Sequence, residues 1–400
     1  MRKINLSKEL LLDGVLIGVL SIGLASCGGG GGGGSISSTP TSPGGSGSST
    51  PLSYSLATYL YAGTDFPNEP IIQVYIDGQP VKLLLDTGGV AGLVVNSTAV
   101  NIPSSDYTSY TFGANEVMAS ATVCLNPSIT NSCVVMPIGV DRYTSLTSAP
   151  TTEEQGIFGF PSGLFSFEFG YNSSSSSLTG FSYPYYLEKQ YGINSYTISF
   201  YSLTNGYYSN VSSTTPIGWI SFGVYNGNSN TLIPYTIRPM VTGSATIPMY
   251  QASAIMILPS STSSTSSFTG YAVFDSLAAY STLSTEVFQT EIPNFSQSAD
   301  ENACANYDFS FGIVNGGYSI TYLLQNNSGS FQTESFTTEP SLSFCETGNP
   351  FSLIEGVTYD GGTFPYETFG LSAMLGHTFT WVLSTSGTNQ GLVQYIGMSP

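Results

Sequence analysis

The sequence predicts an all-β protein, and three observations carry that reading. Beyond residue 54 the apolar runs are short and rich in Val, Ile, Tyr, Phe and Thr. Gly, Asn, Ser and Pro separate them, as expected between strands. One run, Val81-Lys82-Leu83-Leu84-Leu85, ends on Asp86-Thr87-Gly88-Gly89, and a second, Tyr271-Ala272-Val273-Phe274, ends on Asp275-Ser276-Leu277. Each delivers one carboxylate to a tight turn. Four hundred residues suffice for two such lobes or for one large β unit.

The chain opens with an address. Arg2, Lys3 and Lys8 form a positive stretch, and residues 15–25 an apolar core too short to span a bilayer comfortably. Leu24-Ala25-Ser26-Cys27 then resembles the bacterial lipobox, whose cysteine is lipidated and becomes the new N-terminus. The resemblance implies a lipoprotein signal peptide over residues 1–27, with a plain signal peptide and an incidental cysteine as the alternative. Gly28 rather than Asp follows, which implies sorting to the outer membrane or cell surface of a bacterial envelope. Residues 28–53, dominated by Gly, Ser, Thr and Pro, read as a flexible tether.

In the body of the chain, residues 71–76, 196–200 and 218–223 read as strands. Two short helical pieces are expected. Ser182 would cap residues 184–191 ahead of Gly192, and Ser284 would cap a turn through Glu286 and Phe288. The Ser/Thr-rich residues 260–267 read as a surface loop. Of the five cysteines, Cys124 and Cys133 flank a short polar loop and are expected to form a local disulfide, leaving Cys304 and Cys345 as a second pair. A metal site is disfavoured, because there is no Cys-x-x-Cys and His377 is the sole histidine.

A formal charge of −18 argues against binding nucleic acid. Charged residues make up only 8% of the chain. Such a surface holds few ion pairs for acid to break, so it suits acidic surroundings. An uncharged polar coat on a secreted β protein is the plainer account.

The aspartate turns are each followed at a distance by a glycine after apolar residues: Gly156-Ile157-Phe158-Gly159 in the first half, Ala373-Met374-Leu375-Gly376 in the second. At this point the chain resembles the pepsin-like aspartic proteases. Their two lobes each carry apolar-apolar-Asp-Thr/Ser-Gly and a later apolar-apolar-Gly packed against it. The resemblance runs in order from residue 54 to residue 400. Residues 71–85 match the strands entering the first catalytic loop. Tyr110-Thr111-Phe112-Gly113 matches the flap, where a Tyr precedes a Gly hairpin that closes over substrate; an ordinary strand tyrosine is the alternative at Tyr110. Residues 375–379 and 394–398 match the closing strands.

The resemblance implies a bilobal fold, two related β-barrel-like lobes with a cleft between them. Residues 54–235 would form the N-terminal lobe carrying Asp86, and residues 236–400 the C-terminal lobe carrying Asp275. It implies a monomer that hydrolyses polypeptides without metal or cofactor; the lipobox resemblance adds a membrane attachment through lipid at Cys27. The chemistry needs two carboxylates facing one water. Two close carboxylates cannot both ionise, so they share a proton. The ionised one takes a proton from water, and the protonated one polarises the peptide carbonyl. Pepsin-type pro-segments are usually basic, and none is visible here.

Three departures stand out. Leu277 occupies the position that Gly88 holds in the first turn, where an N–H must face the carboxylate. Gly89 and Ala278 stand where the family carries a hydroxyl that bonds the aspartate. Lost donors favour the protonated form, which makes Asp275 the expected acid. The competing readings are a catalytically inactive lipoprotein that keeps the fold to bind peptides, and a surface adhesin or glycan binder. A serine hydrolase is remote, because no Gly-x-Ser-x-Gly is present.

Overall fold

The structure, a computed structural model, describes residues 55–62, 70–88, 92–112, 116–141, 155–160, 182–201, 216–242, 245–259, 265–276, 281–284, 319–337, 354–357, 366–370 and 374–399. Its first strands are β1 (Ser55–Ala62), β2 (Pro70–Ile76), β3 (Gln79–Asp86), β4 (Leu93–Asn96) and β5 (Tyr107–Phe112). Next come β6 (Glu116–Cys124), β7 (Cys133–Asp141), β8 (Gly156–Gly159), helix α1 (Tyr183–Tyr191), β9 (Ser195–Phe200) and β10 (Pro216–Gly223). The second half contributes β11 (Ile233–Pro234), β12 (Thr236–Thr242), β13 (Ala245–Pro259), β14 (Thr265–Phe274) and β15 (Ser281–Ser284). It continues with β16 (Ser319–Gln325), β17 (Phe331–Thr337), β18 (Ile354–Val357), β19 (Tyr366–Phe369), β20 (Thr378–Leu383) and β21 (Val393–Ser399).

Alternation of large apolar residues closes the first half on itself. The strand order β2-β3-β8-β4-β7-β6 becomes a ring because β6 also pairs with β2, Tyr75 opposite Cys124 and Ile76 opposite Val123. Ile72, Val74, Val81, Leu83, Leu93, Val95, Val123, Met136, Ile138 and Phe158 are buried within a large core cluster. Closure pairs every strand of this six-stranded ring on both sides, and β1 and β5 add to it at β2 and β6.

The second half repeats the arrangement around its own aspartate. In the first, β3 runs parallel to β8, β8 antiparallel to β4, and β4 parallel to β7. In the second, β14 runs parallel to β19, β19 antiparallel to β15, and β15 parallel to β18. The duplication read from two turns is therefore a duplication of strand order. A further run, β11-β21-β20-β9-β10-β1, joins the halves, with β9 of the first hydrogen-bonded to β20 of the second.

Local expectations fare unevenly. Helix α1 forms where predicted and ends on Gly192 at φ 67°, a left-handed position suited to glycine. Ser182 is its N-cap residue, but its side chain makes no capping bond; its carbonyl accepts Tyr186 N–H instead. The Ser/Thr stretch is not all loop. Thr265, Ser266 and Ser267 begin β14 and pair with Pro259, Leu258 and Ile257, so partners on β13 override a turn-like composition. Ser284 ends strand β15, and the turn expected after it lies outside the described residues. The Cys124–Cys133 disulfide closes the β6–β7 hairpin, while Cys27, Cys304 and Cys345 lie outside the described residues. Among the described residues no helix is long and apolar enough to cross a membrane.

Candidate active site

The buried run of β3 carries Asp86 to the end of its strand. There Asp86 stands opposite Gly159 of β8 and its backbone carbonyl accepts Phe160 N–H. The residue is only 5% exposed. It is not left bare: Gly88 N–H donates to Asp86 Oδ1 at 3.0 Å, so the turn that follows the aspartate folds back onto it. An N–H aimed at a carboxylate stabilises its ionised form.

Asp275 follows β14 in the same way. Its strand pairs in parallel with β19 up to Phe274 opposite Phe369, and Gly370 comes next. Gly370, not Gly376, therefore occupies the place of Gly159. The apolar pattern pointed to Ala373-Met374-Leu375-Gly376, but that segment leads into β20 of the joining sheet. There His377 N–H donates to Met374 O at 3.2 Å, and His377 O accepts Phe200 N–H. Glu367-Thr368-Phe369-Gly370 carries a single apolar residue before its glycine, too little to read from sequence.

The two turns are locked to each other by a reciprocal exchange. Thr87 Oγ1 accepts Ser276 N–H at 2.9 Å and donates to Phe274 O at 2.8 Å. Ser276 Oγ accepts Thr87 N–H at 3.2 Å and donates to Leu85 O at 2.6 Å. Both residues are fully buried. Each hydroxyl thus holds the other half's backbone on both sides of its aspartate. Gly88 lies flat against Asp275: a Cβ built on it would meet Asp275 Cβ at 2.4 Å, Cγ at 2.5 Å and Oδ2 at 2.8 Å. The Asp275 side chain is therefore packed onto the very turn whose N–H holds Asp86.

Thr87, Gly88 and Ser276 are in this way gathered around Asp86 and Asp275. Leu277, Gly89 and Ala278 lie outside the described residues. Tyr110 lies on β5, which forms an antiparallel hairpin with β6 through Thr111 opposite Val117; Gly113, in the connection, lies outside the described residues. Among the described residues no group of three or more His, Cys, Asp and Glu is gathered to hold a metal. Sequence reasoning missed Tyr235, whose hydroxyl accepts Phe274 N–H directly before Asp275. One tyrosine among 27, with no motif around it, gave no signal.

No protein-family model matches the chain, and no curated protein matches it. Among solved structures it is similar to the aspartic proteinase from Irpex lacteus, with a TM-score of 0.50 and 18% sequence identity. The likeness covers 86% of this chain and 97% of that one. At that identity it shows the fold. The chain has the bilobal all-β fold of pepsin-like aspartic proteinases.

Proposed function

We propose that the chain is an aspartic endopeptidase that hydrolyses polypeptides at acid pH through a water activated between Asp86 and Asp275. The observation that carries this reading is the reciprocal hydroxyl exchange of Thr87 and Ser276, which fixes the two aspartate turns against one another. Asp86, held by Gly88 N–H, serves as the base that draws a proton from water. Asp275 carries the shared proton, polarises the scissile carbonyl, and then protonates the leaving amine. The β5–β6 hairpin with Tyr110 closes over the bound chain. Cys27 holds the enzyme by lipid at the bacterial envelope, on the tether of residues 28–53.

The test is cleavage of an unfolded protein by the full chain from about pH 2 to about pH 7, with a pepstatin-type inhibitor as control. Acid activity is expected, abolished by the inhibitor and reduced roughly 10²–10⁴-fold by Asp86→Asn. Mass spectrometry of the envelope-bound protein would read lipid on Cys27, lost in Cys27→Ala. Leu277 favours one second reading, an inactive peptide binder, because it replaces the glycine of the first turn. A folded sample that binds the inhibitor yet cleaves nothing at any pH would establish that reading instead.

A further inference from the structure

Beyond Ala272 opposite Ala252, β14 loses its partner on one side. The next residue of β13, Gln251, is paired with Thr236 of β12, and Tyr250, which the register would set opposite Phe274, is paired with Ile237. The long strand β13 thus leaves the second aspartate's strand two residues before that strand ends. A buried N–H abandoned in this way is costly unless another acceptor replaces the ladder. The replacement is a side chain: Phe274 N–H donates to Tyr235 Oη at 3.2 Å.

Tyr235 is built for that post. It is fully buried and stands between β11 and β12, at the point where the strands splay. Its own N–H donates to Gln394 O at 3.0 Å, and its ring packs on Phe274 at 5.8 Å between centroids. Phe274 O is taken by Thr87 Oγ1. Both backbone polar groups of the residue before Asp275 are therefore held by side-chain hydroxyls, one from each half of the chain.

We propose that Tyr235 is a positioning residue for Asp275: its buried hydroxyl takes the place of the departing strand β13 and fixes where the second carboxylate is delivered. The inference rests on the protease reading for its catalytic consequence, but the hold on the strand can be measured without it. The hold runs through the Tyr235 hydroxyl, so removing that one oxygen atom tests it directly.

The experiment compares the full chain with Tyr235→Phe, which keeps the ring and deletes the hydroxyl. Amide exchange at Phe274 is expected to be slow in the natural chain and roughly tenfold faster in the variant. On an unfolded protein substrate, kcat is expected to fall roughly ten- to a hundredfold with KM little changed. The acidic limb of the pH–rate profile should shift as well, which a general loss of stability would not produce. Open-chain exchange at Phe274 in the natural protein overturns the proposal, even if the variant fails to fold. Unchanged exchange and kcat in a folded variant overturn it equally. An inactive natural protein with a protected Phe274 overturns the catalytic consequence together with the protease reading.

Discussion

At the residue scale, Gly88 and Gly192 resist substitution for different reasons. Gly88→Ala would put a methyl group within 2.4 Å of Asp275 Cβ, which no real contact allows. One turn must move, and the carboxylates move with it; activity is expected to fall roughly a hundredfold, as for a misplacement of about 1 Å. Gly192→Ala is the contrast: nothing lies within 4 Å of its added Cβ, but its φ is 67°. It should cost about 1–2 kcal/mol of stability through backbone strain and leave kcat unchanged. Thr87→Val is expected to be worse than either. It removes the hydroxyl that serves Ser276 N–H and Phe274 O together, and each buried hydrogen bond lost costs about 1–3 kcal/mol. Urea denaturation of each variant beside kcat separates the three: Gly192→Ala moves only the first, Gly88→Ala mainly the second, Thr87→Val both.

At the element scale, the hairpin of β6 and β7 is a strut that holds helix α1. The disulfide closes it over a sequence separation of 9, and α1 lies on its loop. Tyr183 Oη donates to Ser132 O at 2.6 Å and Tyr191 Oη to Cys133 O at 2.8 Å, so both ends of the helix are tied to the loop. Replacing Cys124 and Cys133 together by Ser should lower stability by about 2–3 kcal/mol. Activity per folded molecule should persist, because neither cysteine touches the aspartate turns; a coincident loss of both in a folded variant would contradict that separation. The disulfide and the helix were legible in sequence because each is local: flanking cysteines around a polar loop, and Ser182 ahead of residues 184–191 with a Gly192 stop after them. The counterpart of Gly159 was not. Gly370 is recognised only through β19 pairing with β14, a contact between residues 95 positions apart in the chain, about which periodicity says nothing. Asp86, Thr87, Gly88, Asp275 and Ser276 lay between these cases. Their turn chemistry was visible twice over, while the exchange that binds them needed both halves in place.

At the scale of the whole molecule, the halves meet on one sheet with two different faces. On one side, hydroxyl rungs cross the junction of β9 and β20, Thr197 to Thr380 at 2.9 Å and Thr378 to Ser199 at 2.9 Å. On the other, Phe160, Tyr196, Trp381, Phe379, Phe274 and Tyr235 pack ring to ring in succession, with Tyr196 and Trp381 stacked at 5.1 Å. Neither face relies on charge, and the chain has only seven Lys and Arg against 25 Asp and Glu. Protonating carboxylates therefore breaks few attractive pairs, and acid should remove little stability. The alkaline side is different. Burial pushes the Tyr186 phenol up to about 12, with a smaller push from Tyr185, and burial likewise raises Tyr61, Tyr185, Tyr201 and Tyr225. A phenol whose folded value lies above its unfolded value of about 10 keeps its full contribution below that pH. The contribution is lost as the pH climbs from about 10 towards about 12, because the unfolded chain ionises first. Denaturation midpoints are thus expected to be nearly level through the acid range and to fall steeply above about pH 10. Tyr186→Phe, which cannot ionise, should make that alkaline fall shallower while leaving the acid range untouched. A midpoint that drops as steeply below about pH 4 as above about pH 10 would mean that paired carboxylates, not packed rings and hydroxyl rungs, hold the halves together.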